Sequence, residues 1–196
     1  MSAQNITESH NQQESTSGVN PKKFLLWLFI VAIIMLFAAF TSGYIVRRAE
    51  GNWMKFPLPT SMWINTIIIL ISSIPMIWAY RSAKQNELSK VKTGLIVTFI
   101  LGLLFMGGQM VTFYDLVEMG VYFSGSNVAG SFLIIIAFAH AIHIIAGLIW
   151  LLIVLAQAFH GKVNSNNILN INLCNTYWHF IGILWVYLIL FFYIYR

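Results

Sequence analysis

Residues 131–155 read SFLIIIAFAHAIHIIAGLIWLLIVL. These 25 positions carry no Asp, Glu, Lys or Arg. At a helical rise of about 1.5 Å per residue the run is long enough to cross about 30 Å of hydrocarbon. Its apolar residues are continuous rather than alternating, which argues against a barrel strand. In its middle stands AHAIHIIAG, residues 139–147, with His140 and His143 three residues apart and Gly147 four further on. That spacing puts all three on one face of a helix. Ionisable side chains are costly at membrane depth and mark a functional site by default.

The rest of the chain follows the same pattern. Of its 196 residues 59% are hydrophobic and only 9% charged, against roughly 25% charged in a soluble domain. Such a chain cannot cover a water-facing surface, so the bilayer is its solvent. Four further segments are long enough to span: 24–46, 62–80, 93–114 and 174–195. With 131–155 they predict an all-α integral membrane bundle of five transmembrane helices over residues 23–196. The fourth pattern extends towards Val128 and Phe159, enough for tilt or an interfacial overhang. Pro75, inside the second segment, cannot donate to the Ile71 carbonyl and predicts a kink. Residues 1–22 form a polar tail rich in Ser, Asn and Gln, expected to be disordered. The first apolar run begins late, at Phe24, and is expected to act as an uncleaved signal anchor.

Lys22, Lys23, Arg81, Lys84, Lys90, Lys92 and Lys162 fall on one side, against Arg47, Arg48, Lys55 and Arg196 on the other. The positive-inside rule then places the N-terminus in the cytoplasm and the C-terminus outside. Trp53, Trp63, Trp78 and Tyr80 lie near segment ends, as an aromatic belt requires. The net charge of +5 reflects these flanks and does not point to nucleic acid. The single cysteine, Cys174, excludes an internal disulfide and a cysteine metal cluster.

Within the spans, packing and hydrogen bonds must associate the helices, because lipid offers no hydrophobic drive between them. Gly102, Gly107, Gly108, Gly130, Ala139 and Gly147 suit close approach. Thr41, Ser42, Ser72 and Ser73 can bond helix carbonyls. Gln109 needs a partner: another helix, a lipid headgroup or a second subunit. His140, His143 and His179 leave several readings open. A haem between helices would take axial ligands on opposite faces, and His140 or His143 with His179 could form one bis-histidine site. A metal site or a proton relay lacks carboxylates, since Asp115 and Glu118 lie at or beyond a helix end. Packing, lipid contact and subunit contact complete the set. There is no nucleophile elbow, no His-Glu metal motif and no phosphate loop.

Residues 177–180 read Tyr-Trp-His-Phe, and Trp185 follows Phe180 by five. Earlier in the chain come Ala139-His140-Ala141-Ile142-His143 with Gly147, then Gly102, Phe105 and Gln109, and Phe56-Pro57-Leu58-Pro59 with Asn65-Thr66 and Ser72-Ser73. Taken together, from about Phe24 to the C-terminus, the motifs resemble subunit III of the haem–copper oxidases, the cytochrome c and quinol oxidases of respiration. Five spans match the family's short bacterial form. Ile33 stands near the place where many members carry a glutamate, so no role of that carboxylate carries over.

The resemblance implies a non-redox accessory subunit in the bacterial inner membrane, not catalytic alone. It would pack on catalytic subunit I beside subunits II and IV, hold structural phospholipid and support proton uptake. The haems and copper would lie in the partner subunits, the electron donor would be chosen there, and the complex could join a larger respiratory assembly. Gln109, His140, His143, Tyr177, Trp178 and His179 are the expected lipid- or subunit-contact residues. The rival readings are a small membrane b-type cytochrome with bis-histidine haem and a small transporter; the latter lacks intramembrane charges and has only Pro75 to interrupt a helix.

Overall fold

A computed structural model describes residues 20–49, 57–120, 128–161 and 168–195. The polar tail to position 19, and Trp53, Lys55, Phe56, Lys162 and Arg196 among the sequence landmarks, lie outside the described residues. Five helices are seen: α1 Pro21–Ala49, α2 Thr60–Lys84, α3 Leu88–Glu118, α4 Val128–Phe159 and α5 Leu169–Tyr195. All five are long and apolar enough to cross a membrane, and the described residues contain no strand.

Each helix outruns its predicted apolar segment, because polar residues form the terminal turns. α1 begins three residues before Phe24. The Asn20 side chain accepts from the Lys22 N–H at 3.1 Å, and Pro21 fills the first turn, where its missing N–H costs nothing. Two residues past the ends of α3 and α4 stand Gly120 and Gly161, with φ of 76° and 67°. Glycine reaches this left-handed region without a Cβ clash and so terminates a helix. The α2–α3 turn is short and uses Asn86 at φ 58°, a conformation asparagine tolerates better than most residues. With 32 residues, α4 is roughly 48 Å long. That exceeds the hydrocarbon thickness, which tilt or an interfacial overhang accommodates.

Helices α2, α3, α4 and α5 form a closed ring in which each packs on the next and α5 returns to α2. Successive members run antiparallel. α1 stands outside this ring, against α4 and α5. Its buried residues Leu26, Ile30, Ile33, Phe37, Thr41 and Tyr44 recur every three or four positions, one stripe on an otherwise lipid-facing helix. The neighbouring face is apolar and exposed, as at Leu25, Phe29 and Met35. Outward apolar residues are what a lipid solvent demands.

The α2–α3 seam is the most extensive, and absent side chains make it possible. A methyl group on Gly94 would lie 2.8 Å from the Ala79 Cβ and 2.9 Å from the Pro75 carbonyl oxygen. One on Gly108 would strike the Asn65 amide. Gly107, by contrast, faces open space, so it brings no other helix of this chain close. Pro75 remains inside a continuous helix. Gly94→Ala is expected to destabilise the chain by about 1–2 kcal/mol through overpacking. Gly107→Ala should be neutral or slightly stabilising. Thermal unfolding of the two variants in the same detergent separates these outcomes.

Candidate functional site

The Tyr-Trp-His-Phe segment lies in the first half of α5, where its side chains reach all four other helices. Trp178 is 1% exposed, and its indole donates to the Ser72 hydroxyl of α2 at 3.0 Å. Ser72 in turn donates to the Ile69 carbonyl at 2.7 Å. Gly102 of α3 makes room for the indole: a Cβ there would lie 2.8 Å from the Trp178 ring. A Cβ on Gly147 of α4 would lie 3.1 Å from Ile181 and 3.3 Å from Tyr177, and in ordinary contact with the indole. Two turns along α5, Trp185 donates to the Thr66 hydroxyl of α2 at 3.1 Å. Both indoles thus find an acceptor on α2, which a buried indole N–H requires in a medium without water.

Tyr177 turns the other way. Its hydroxyl donates to the His143 carbonyl at 3.1 Å, and its ring lies between Trp150 and Phe29, with centroids at 5.6 and 6.0 Å. These contacts tie α5 to α4 and bring in α1.

The three histidines do not converge. The His140 ring stacks on Trp185 at 5.0 Å and is edged by Phe105 and Phe37. It is 1% exposed, so these rings seal it inside the bundle. His143 is half-buried; its Nδ1 donates to the Ala139 carbonyl at 2.7 Å, and its ring meets Phe37. His179, also half-buried, donates from Nδ1 to the Asn175 carbonyl at 2.7 Å. Its surroundings are different: it lines a groove of about 440 Å³ with Trp27, Ile77 and Phe180. That groove follows α5 between α1 and α2, which do not meet. Among the described residues no three His, Cys, Asp or Glu side chains gather as a metal site. Ile33 is buried in the α1 stripe, one turn before Phe37.

Of the six candidate residues, the structure buries Gln109, His140, Tyr177 and Trp178 inside the chain and leaves His143 and His179 partly at its surface. Two groups of residues were not singled out from sequence. The first joins α2 to α3: Ser61 donates to the Asp115 carboxylate at 2.6 Å, Thr112 lies 3.1 Å from Ser61, and Asn65 donates to Thr112 at 3.4 Å. Only Asn65-Thr66 carried a signal beforehand. The second is a cavity of about 510 Å³ between the start of α1, the end of α4 and the start of α5. Leu25, Leu26, Phe29, Trp150 and Leu173 wall it, and Lys22 and Asn170 are its polar lining. No motif marks it, because its residues come from three distant segments.

Comparison with known proteins adds a match of residues 3–196 to the family model described as cytochrome c oxidase subunit III. The chain is 29% identical to the cytochrome bo(3) ubiquinol oxidase subunit 3 of Pseudomonas aeruginosa, over 94% of this chain and 88% of that protein. It is 30% identical to the corresponding protein of Buchnera aphidicola, over 86% and 89%. To the cytochrome c oxidase subunit 3 of Bacillus sp. strain PS3 it is 26% identical, over 96% and 92%.

The Trp178–Ser72 bond is testable by a double-mutant cycle. Trp178→Phe and Ser72→Ala should each destabilise by about 1–3 kcal/mol. The double variant should lose less than the sum, because the two groups share one interaction. Strictly additive losses in thermal unfolding would show that the bond contributes nothing.

Proposed function

The chain belongs to the cytochrome c oxidase subunit III family, and we propose that it is the accessory subunit of a bacterial respiratory terminal oxidase. Such a complex reduces oxygen to water and moves protons. In this reading the haems and copper sit on other subunits. This chain lies in the cytoplasmic membrane with its N-terminus inside, packs on subunit I beside subunits II and IV, and supports proton uptake by stabilising that assembly. The observation that carries the reading is the family match over residues 3–196, borne by five spanning helices.

Two surfaces support the finer parts of the proposal. The cavity at the start of α1 pairs apolar walls with the Lys22 ammonium and the Asn170 amide. Walls of this kind suit an acyl chain, and a cation at the polar end suits a phosphate headgroup. The groove carrying His179 suits contact with a partner subunit or a second lipid. Tyr177 and Trp178 serve these surfaces from within, by fixing how α1, α2 and α5 lie, while Gln109 and His140 are sealed inside the bundle. His143, half-buried on α4, remains with His179 a candidate for direct contact.

An oxidase purified from cells lacking this chain should retain its haem spectrum. Loss of the haems while the other subunits stay assembled would overturn the non-redox assignment. His179→Ala should weaken retention of the chain by the catalytic subunit or reduce bound phospholipid, and unchanged stoichiometry with unchanged lipid content would reject the contact role. Lys22→Glu should reduce co-purifying phospholipid while leaving the subunit composition intact; full lipid retention would remove this cavity from the proposal.

A further inference from the structure

Between α3 and α4 lie three polar atoms with no hydrogen-bond partner among the described residues: the Gln109 amide nitrogen and both ring nitrogens of His140. Gln109 is 2% exposed and His140 1%, so neither reaches lipid or a neighbouring subunit. Phe105 links the two. Phe105, which edges the His140 ring, is one helical turn from Gln109 on the same buried face of α3. Side chains four residues apart on a helix are neighbours, and α3 packs directly on α4. The remaining walls are supplied by rings: Trp185 of α5 stacks on the imidazole, and Phe37 of α1 closes another edge.

The chemistry of the three atoms is complementary to one kind of ligand. A neutral imidazole has one N–H donor and one bare acceptor nitrogen, and the amide nitrogen has two N–H donors. Buried polar groups in native proteins are almost always satisfied, by protein or by ordered water. A buried water needs two to four polar partners. We propose that Gln109 and His140 form an internal water-binding site in the membrane-spanning interior, where a sealed water accepts from the Gln109 amide and donates to the bare imidazole nitrogen. The site gives α3 and α4 a polar tie near the level at which Trp185 bonds Thr66 on the opposite side of the bundle. It is distinct from the lipid and subunit surfaces and does not depend on either.

The direct test is a density map of the wild-type chain in its native membrane assembly, at a resolution that shows ordered water. Density within hydrogen-bonding distance of both the Gln109 amide and a His140 nitrogen is expected. A map in which the amide touches the imidazole directly, or in which apolar side chains fill the gap, would overturn the proposal. Thermal unfolding of the full chain gives a second, signed readout. Gln109→Met and His140→Phe should each lower the melting temperature by roughly 2–8 °C, because each strands the other partner. The double variant should lose less than the sum of the two. A rise in melting temperature for either single variant would mean that the polar groups are dry and unpaired, and would reject the site. Should either variant fail to fold, the wild-type map decides alone.

Discussion

The bond from the Trp178 indole to the Ser72 hydroxyl is the interaction around which the bundle is arranged. In water a lost indole bond would be replaced by solvent; within hydrocarbon it would not. The bond therefore constrains α5 to lie beside α2 at a set depth. It also constrains α3, because the same ring fills space that Gly102 leaves empty, and it reaches α4 where the ring packs beside Gly147. One side chain thus organises all four helices of the ring. Trp185 repeats the device two turns later on Thr66, so α5 meets α2 at two depths and is held against both tilt and slippage.

The α2–α3 pair shows the complementary device. Gly94 brings the backbones together near Pro75, and Gly108 admits the Asn65 amide. Close approach at these points shortens the distance over which polar groups must reach, and the Asn65, Thr112, Ser61 and Asp115 chain of contacts follows. α1 has little of this. Thr41 bonds its own helix and approaches the Tyr187 hydroxyl at 3.2 Å, while most of its contact is a single apolar stripe. A helix attached mainly by packing, with grooves on both sides, is well placed to form the wall of lipid and partner sites.

Much of this was readable beforehand. The number and type of the elements followed from continuous apolar runs, whose length has one reading in a bilayer. Tyr177 and Trp178, Gly147, and Gly102 stand in three separate sequence motifs, and only the fold brings them into contact. The predicted bounds were short, because Asn20, Pro21 and the terminal glycines act through local hydrogen bonds and backbone conformation rather than hydropathy. Gly102 and Gly107 look alike in sequence, five residues apart on one helix, yet one faces the Trp178 ring and the other faces open space. Likewise His140, His143 and His179 share a chemistry, and only their neighbours separate a sealed imidazole from one lining a groove.

The sequence by itself determined that this chain lives in a membrane, crosses it five times and carries the motifs of its family, because hydropathy and motif order are properties of the chain read along its length. The tertiary structure decided which polar groups meet. It paired both indoles with α2, turned Tyr177 towards α4, and gathered Lys22, Trp150 and Asn170 around one cavity. Those outcomes depend on helix rotation and depth, which are set by contacts between residues from 34 to 119 positions apart, and no local pattern encodes them.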